Sequence, residues 1–295
     1  MSRRSYDAVV IGAGPNGLAT AITIARQKRS VLVIEAESAA GGGARSAELT
    51  LPGYVHDVCS AIHPLALASP FFQSVPLAEH GVEWIHPLSP LAHPLDDGQA
   101  AVLERSFEET GRTLGADARA YRRLMEPLVT HAEVLFFETL GPFRIPRHPL
   151  MLASFGLRAV RSARGLANTW FQEPRAKALF AGMAAHSILP LDTMLTAAVG
   201  LMLGVAGHAV GWPVPRGGSG QITAALVQHL QSLGGEVVTN WRVQSHTELP
   251  PARAYLFDTA PKHLGRICGE LLPHRLRQKL ERFGTAPAAL RTVLA

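Results

Sequence analysis

The sequence contains few of the residues that mark several large classes of protein. Its 295 residues include two cysteines, Cys59 and Cys268, whose wide separation excludes a redox dithiol or a zinc knuckle. Because no disulfide framework is indicated, we expect a reducing, cytoplasmic location. The net charge is +5, yet no basic run with interleaved aromatic residues occurs. A nucleic-acid partner is therefore not expected.

Long hydrophobic runs are also scarce. The N-terminal apolar core, Ala8–Ile11, is shorter than the roughly 7–15 residues of a signal-peptide core. The span 193–215 lacks charged residues and is close to the roughly 20 residues that cross a bilayer. Four glycines and two prolines interrupt it. This span therefore predicts a buried, tightly packed helix rather than a membrane span.

The N-terminal segment predicts a βαβ unit of about thirty residues. Ala8–Ile11 and Ser30–Glu35 are typical of buried strands, and Asn16–Gln27 between them is typical of a helix. The turn after the first strand reads Gly12-Ala13-Gly14-Pro15-Asn16-Gly17. A Gly-x-Gly-x-x-Gly turn in this context indicates a doubly wound, dinucleotide-binding domain.

Each part of that turn has a physical role in binding a dinucleotide. Gly12 permits the tight turn, Gly14 lets the main chain approach a pyrophosphate, and Gly17 allows the helix to pack on the strand. The helix that begins at Pro15-Asn16 offers free amides and a positive dipole end to the phosphates. Glu35 can accept hydrogen bonds from ribose hydroxyls and would repel a 2′-phosphate. This spacing leaves NAD and FAD both open.

The rest of the chain predicts a helical middle followed by an α/β return. A three-residue spacing of Arg158, Arg161 and Arg164 is most simply a solvated helix face, with contact to a membrane surface or a partner as the alternative. The predicted helices are Arg119–Leu140, Met151–Leu166 and Ile222–Leu233, and the predicted strands are Glu236–Val243 and Ala254–Phe257.

A second glycine element follows the predicted ribose-binding acid. Gly41, Gly42, Arg45 and Ser46 form the pattern Gly-Gly-x-x-Arg-Ser. With this element the sequence resembles the FAD-dependent amine oxidase and phytoene desaturase superfamily. The resemblance implies that the element approaches the pyrophosphate and flavin side of FAD, where Arg45 would neutralise phosphate charge.

A later stretch, from His186 to Val243, resembles the phytoene-dehydrogenase-like branch. The likeness is strongest to proteins called pyridine nucleotide-disulfide oxidoreductase domain-containing protein 2. It implies that residues 217–219 and the next helix return the chain to the FAD domain, although a plain turn is an alternative for those residues. It also implies that Val243 pairs its backbone with adenine. Asp258, at the start of Asp-Thr-Ala-Pro, matches a strand-end element of the branch.

The resemblance implies an α/β, Rossmann-like FAD/NAD(P)-binding domain with a largely helical substrate-side insertion. Hydride would pass from an apolar, isoprenoid- or lipid-like substrate to the flavin, which carries the electron chemistry. The histidines show no metal-binding motif, and no catalytic residue is assigned. A structural role is the favoured interpretation of His63, His131, His186 and His208, with substrate contact as the alternative. The implied layout is residues 1–75 for the first FAD-binding part, 76–212 for the insertion, 213–263 for the return and 264–295 for the start of a further substrate-domain segment.

Family members continue with a glycine-rich segment that closes the FAD domain, and Gly284–Ala295 lacks that signature. The fold is therefore expected to be incomplete at the C-terminus, as in a truncated protein or one part of a split protein. The alternative function is a catalytically silent nucleotide-binding fragment that acts with a partner chain.

Overall fold

The computed structural model describes residues 5–142 and 144–283. The expectation for Gly284–Ala295 therefore lies outside the described residues. The strands are β1 Tyr6–Ile11, β2 Val31–Ile34, β3 Ser46–Glu48, β4 Val55–Asp57, β5 Trp84–Ile85, β6 Leu91–Pro94, β7 Ala100–Leu103, β8 Val214–Pro215, β9 Glu236–Val238 and β10 Ala252–Phe257. The helices are α1 Pro15–Ala25, α2 Pro64–Ala68, α3 Pro70–Gln73, α4 Phe107–Leu114, α5 Ala118–Val129, α6 Ala132–Leu140, α7 Pro149–Ala159, α8 Ala163–Trp170, α9 Pro174–Ala184, α10 Thr196–Ala209, α11 Gly220–Ser232, α12 Pro261–Ile267 and α13 His274–Glu281.

The chain divides into two compact units. Unit 1 comprises residues 1–61, 75–84 and 215–295, and unit 2 comprises residues 62–74 and 85–214. Compared with the layout implied by the resemblance, the first change of unit comes earlier, after residue 61. The segment 75–84 returns to unit 1 before the helical part continues.

Unit 1 is built on a four-stranded parallel sheet in the order β10-β1-β2-β9. Every residue of β2 is buried, as expected for a parallel strand covered on both faces. One face packs on a core that includes Val9, Ile11 and Leu32. Helix α1 packs against β1, β2 and α11. The predicted Rossmann-like α/β fold is thus confirmed.

The first predicted strand of the α/β return is much shorter than expected. The pattern predicted a strand over Glu236–Val243, whereas β9 ends at Val238. Its partner β2 ends at Ile34, so no strand backbone is available beside residues 239–243. Asn240 adopts a left-handed φ of 57°, and the chain then crosses the end of β2. There the Trp241 N–H donates to the Glu35 carbonyl at 2.9 Å.

Unit 2 is a helical assembly around a core of aromatic and aliphatic side chains. Its central helix is α10, which lies inside residues 193–215, where a packed helix was predicted. Glycines in α10 allow the close packing, because a Cβ at Gly200 would lie 3.0 Å from the Phe180 ring. A Cβ at Gly204 would lie 2.7 Å from Met125 Cε. In the described part of the chain, no helix combines the length and the apolar character needed to cross a membrane.

Two predicted helices of unit 2 are each divided. The single helix predicted over Arg119–Leu140 is α5 followed by α6. Pro127 lies in the last turn of α5, where it has no N–H and crowds the carbonyl four residues before it. The helix predicted over Met151–Leu166 is α7 followed by α8, and the Ser162 side chain caps the start of α8 by accepting from the Gly165 N–H.

A buried polar cluster ties the end of α10 to its neighbours. Arg105 donates to the carbonyl oxygens of His208 and Ala209 at the C-terminal end of the helix. The Arg105 carbonyl must accept from His208 Nδ1–H at 3.1 Å, so His208 Nε2 accepts from the Tyr121 hydroxyl at 2.9 Å. Burial lowers the pKa of His208 from 6.5 to about 4. His208 is therefore neutral and structural rather than available to a substrate.

We predict that acid destabilises unit 2 through His208. The unfolded state takes up this proton near pH 6.5 and the folded state only near pH 4. Neutral His208 therefore contributes its full stabilisation above pH 6.5. This stabilisation decreases as the pH falls towards 4, and the total loss is about 3 kcal/mol of unfolding free energy. Urea unfolding between pH 4 and pH 7 measures this loss.

The control is His208→Gln, which cannot titrate but retains a polar side chain of similar length. Its unfolding free energy should fall less steeply with acid than that of the wild type, because the other titrating groups are common to both proteins. Equal slopes would show that His208 is protonated at its ordinary pKa in the folded protein.

Candidate functional site

A cavity of about 560 Å³ lies at the carboxyl ends of β1, β2 and β10. This is the edge of an open parallel sheet at which α/β proteins bind their ligands. Seven of the predicted site residues line it: Gly12, Gly14, Pro15, Asn16, Glu35, Gly42 and Val243. Gly17, Gly41, Arg45 and Ser46 are outside its lining, and each has a structural partner within unit 1 described below.

The three glycines of the first turn have different neighbours. Gly12 has a φ of 106°, and a Cβ there would collide with the Asp258 carbonyl. A Cβ at Gly17 would collide with the Gly12 carbonyl. At Gly14, by contrast, the nearest atom to a Cβ would be Asp258 Oδ2, at 3.0 Å. Gly12 and Gly17 are thus needed for packing inside the protein, whereas the absence of a side chain at Gly14 leaves the cavity open.

Most amides of this turn already have partners inside the protein. The Ala13 N–H donates to Glu35 Oε2 at 2.8 Å, and the Gly17 N–H donates to Asp258 Oδ2 at 2.8 Å. Pro15 has no N–H to offer. The amides of Gly14 and Asn16 have no acceptor among the described residues and lie at the positive end of α1. Two backbone donors thus remain for an anion at this helix N-terminus.

Glu35 is the buried carboxylate at the end of β2. Its Oε2 accepts from the Ala13 N–H and its Oε1 accepts from the Glu37 N–H at 2.9 Å. These bonds hold the glycine turn against the end of β2. Each carboxylate oxygen has further lone pairs, so Glu35 retains acceptor capacity for ribose hydroxyls at the cavity wall.

The Gly41-Gly42 turn packs directly on the first glycine turn. The Gly41 N–H donates to the Ala13 carbonyl at 2.8 Å. Gly41 and Gly42 both have positive φ, and a Cβ on Gly42 would lie 3.0 Å from Gly14 Cα. The second glycine element therefore reaches the cavity at the point where the main chain is most open.

Arg45 and Ser46 extend from this turn towards other parts of unit 1. Arg45 Nε donates to the Gly42 carbonyl at 3.0 Å, and its guanidinium lies 3.9 Å from the Glu37 carboxylate. Arg45 lines a neighbouring cavity of about 610 Å³. Ser46 Oγ donates to Asp57 Oδ1 at 2.6 Å and accepts from the Gly220 N–H at 2.8 Å, so it fixes the start of α11.

The segment after β9 forms the far wall of the cavity. Trp241, Arg242 and Val243 all line it. Arg242 forms an ion pair with the Glu37 carboxylate at 2.6 Å. The side chain of Val243 is buried, and its backbone N–H and carbonyl have no hydrogen-bond partner within residues 5–142 and 144–283. These polar groups are free to pair with a planar base.

Asp258 lines the cavity, although the sequence interpretation did not assign it to the site. It follows β10, which lies beside β1, so its carboxylate reaches the first turn of α1 although 241 residues separate it from Gly17. The sequence signals were its position after a buried strand and the Asp-Thr-Ala-Pro element that it begins, and neither indicated a contact with the first turn of α1. Its negative charge occupies a helix N-terminus that would otherwise offer a third amide to phosphate.

Other candidates from the sequence do not gather into a second centre. His131 precedes α6 and lines a cavity of about 940 Å³ in unit 2, and His186 Nδ1 lies 3.2 Å from the Gly182 and Met183 carbonyls at the end of α9. Neither cysteine forms a disulfide within the residues that the structure describes; Cys59 is exposed and Cys268 is buried. No cluster of three or more metal-ligating side chains is present among the residues that the structure describes.

Comparisons with known proteins agree with this geometry. Residues 10–74 match the family model of the NAD(P)-binding Rossmann-like domain. Over 125 residues the chain is 30% identical to one of the subunits of limonene dehydrogenase from Castellaniella defragrans, covering 41% of this chain and 22% of that protein.

Solved structures share the fold. A putrescine oxidase variant with redesigned cofactor binding has a TM-score of 0.60 and 20% identity, covering 94% of this chain and 63% of the other. An oxidoreductase from Methanosarcina mazei has a TM-score of 0.62 and 16% identity, covering 95% and 65%. The chain thus spans less than two thirds of the length of these relatives. The fold is thus shared with a putrescine oxidase and with an oxidoreductase of Methanosarcina mazei.

We predict that Asp258 opposes phosphate binding. Asp258→Asn keeps an acceptor for the Gly17 N–H but removes a negative charge beside the two free amides. The affinity for ADP should rise several-fold, as measured by isothermal titration calorimetry. Asp258→Ala leaves the Gly17 N–H without its acceptor and should lower the unfolding free energy by about 1 kcal/mol. Weaker ADP binding by Asp258→Asn than by the wild type would contradict the electrostatic argument.

Proposed function

We propose that this chain binds FAD through its ADP portion and serves a flavin-dependent oxidoreductase. The observation that carries the proposal is the contact between the two glycine turns. The Gly-Gly-x-x-Arg-Ser element resembles that of FAD-dependent amine oxidases and desaturases, and its Gly42 lies against Gly14 at the opening of the cavity. NAD would need only the first turn and Glu35.

The residues present fit the ADP portion of FAD. The Gly14 and Asn16 amides would hold the pyrophosphate, and Glu35 would accept from the adenosine ribose. The free backbone of Val243 would pair with the adenine edge. Arg45, which lies beside Glu37, would contribute positive charge near the phosphates. Bound FAD would supply the electron acceptor for removal of a hydride from the substrate.

We propose an apolar, isoprenoid-like substrate. Limonene, in the name of one relative, is an apolar isoprenoid hydrocarbon, and putrescine, in the name of another, is a charged diamine. Unit 2 contains a cavity of about 940 Å³ whose lining combines apolar side chains, among them Phe136, Phe137 and Val210, with the charged Glu133 and Arg147. The apolar part of this lining is the support for a hydrocarbon substrate.

A second candidate is a nucleotide-binding subunit that is silent without a partner chain. It is favoured because the limonene dehydrogenase relative is itself a subunit. In that case the described chain would contribute the ADP-binding half, and the partner would contribute contacts to the flavin ring. The likeness to pyridine nucleotide-disulfide oxidoreductase domain-containing protein 2 is compatible with either candidate.

The decisive experiment is retention of flavin by the purified chain. After incubation with FAD and removal of free ligand by gel filtration, the visible spectrum should show bound flavin. Gly14→Val should abolish retention, because its side chain would fill the approach to the pyrophosphate. Gly156→Val is the control, since a Cβ on Gly156 meets nothing within 4 Å.

The outcomes separate the two candidates. Retained FAD that is bleached anaerobically by limonene, and not by putrescine, supports the oxidoreductase with an apolar substrate. Binding of ADP without retention of FAD supports the subunit that needs a partner chain. If neither ADP nor FAD binds, or if Gly14→Val binds them as the wild type does, the site assignment is wrong.

A further inference from the structure

Helix α7 of unit 2 exposes large aliphatic side chains. Its inner face is anchored in the core by Phe155 and Ala159. On its outer face Leu150 is 87% exposed and Leu157 is 75% exposed. These leucines are seven residues apart, two helical turns, and therefore share one side of the helix. Four residues before the helix, Ile145 is 90% exposed.

The loop between α9 and α10 continues this exposed apolar area. Met194 is 68% exposed and Leu195 is 59% exposed. The Leu195 N–H donates to the carbonyl of Val160, the residue after α7, at 3.2 Å. Leu195 has a left-handed φ of 71°, a conformation that is uncommon for a leucine. The fold thus holds exposed aliphatic groups beside the end of α7 at a conformational cost.

Positive charge surrounds these side chains. Residues 144–164 contain five arginines and no aspartate or glutamate. Arg147 and Arg164 are exposed. Two nearby carboxylates are paired with arginines, because Asp192 lies 3.9 Å from Arg164 and the enclosed Glu138 lies 3.9 Å from Arg144. We call Ile145, Leu150, Leu157, Met194 and Leu195, together with Arg147, Arg158 and Arg164, the apolar–basic surface.

We propose that the apolar–basic surface docks unit 2 on the face of an anionic lipid bilayer. Leucine, isoleucine and methionine side chains would enter the boundary between headgroups and acyl chains, and the arginines would meet lipid phosphates. Arginine suits this place because its aliphatic stem packs on apolar groups while its head stays at the phosphate level. The aromatic residues in which protein-binding surfaces concentrate binding energy, tryptophan and tyrosine, are not among the residues that define this surface.

Vesicle flotation with the full chain tests this proposal. The wild type should float with vesicles of equal parts phosphatidylcholine and phosphatidylglycerol, and much less with phosphatidylcholine alone. Raising the salt concentration should weaken binding, because the charges are exposed and screened. Leu150→Ser and Leu157→Ser should each reduce partitioning by about tenfold, the effect of removing one leucine side chain from an apolar environment.

Matched controls distinguish docking through the apolar–basic surface from nonspecific hydrophobic adsorption to vesicles. Leu88, on the loop between β5 and β6, is 98% exposed but lies outside the apolar–basic surface. Leu88→Ser should bind vesicles as the wild type does. Arg147→Gln combined with Arg164→Gln should weaken the preference for phosphatidylglycerol, because Arg158 remains. All variants should keep the thermal unfolding midpoint of the wild type, because the replaced side chains are exposed.

Three results would overturn the proposal. One is the absence of flotation with anionic vesicles. Another is equal binding by the wild type and the Leu150→Ser and Leu157→Ser variants. The third is a dimer, detected by light scattering, that these leucine variants dissociate while vesicles do not bind. That last result would assign the surface to a second copy of the chain. None of these outcomes depends on FAD, so the proposed function is tested separately.

Discussion

The Glu35 carboxylate holds the candidate site together. It is buried at the end of β2 and binds the amides of Ala13 and Glu37, so it joins the first glycine turn to the strand that precedes the second. A buried carboxylate is stable only when its oxygens have donors, and here backbone amides supply them. The position of Gly14 and the width of the cavity both follow from this contact.

The same arrangement limits how an anion can bind. Asp258 takes the Gly17 amide, Glu35 takes the Ala13 amide, and Pro15 has none, which leaves the amides of Gly14 and Asn16. Two carboxylates near a pyrophosphate raise the electrostatic cost of binding. The positive end of α1 offsets part of that cost, and Arg45 is near enough to the Gly42 turn to offset more.

Local patterns predicted the elements of unit 1 well, and unit 2 less well. Four- to six-residue apolar strands and the glycine turn between them depend on neighbours in sequence, so β1, α1 and β2 were found with small boundary errors. The long helix over Arg119–Leu140 was wrong as a single element. Its apolar spacing continues past Pro127, but the proline and the packing of α6 redirect the chain. Periodicity does not reveal such a change in direction.

In the candidate site, too, local sequence patterns predicted some residues and only the tertiary structure placed others. Spacing alone identified Gly12, Gly14, Gly17 and Glu35 because the turn, the helix start and the acid lie within one βαβ unit. It could not show that Asp258 would bind the first turn of α1, because that contact depends on β10 lying beside β1.

The sequence by itself was enough to predict the Gly-x-Gly-x-x-Gly turn, the acid after β2 and the second glycine element, each of which is a local pattern. Only the tertiary structure decided which glycine opens to a ligand and which amides remain free. It also decided that Arg45 lies beside Glu37 and that aliphatic side chains protrude from α7. These outcomes are set by strand order and helix packing, which bring together groups far apart in the chain and bury one side of each element while exposing the other.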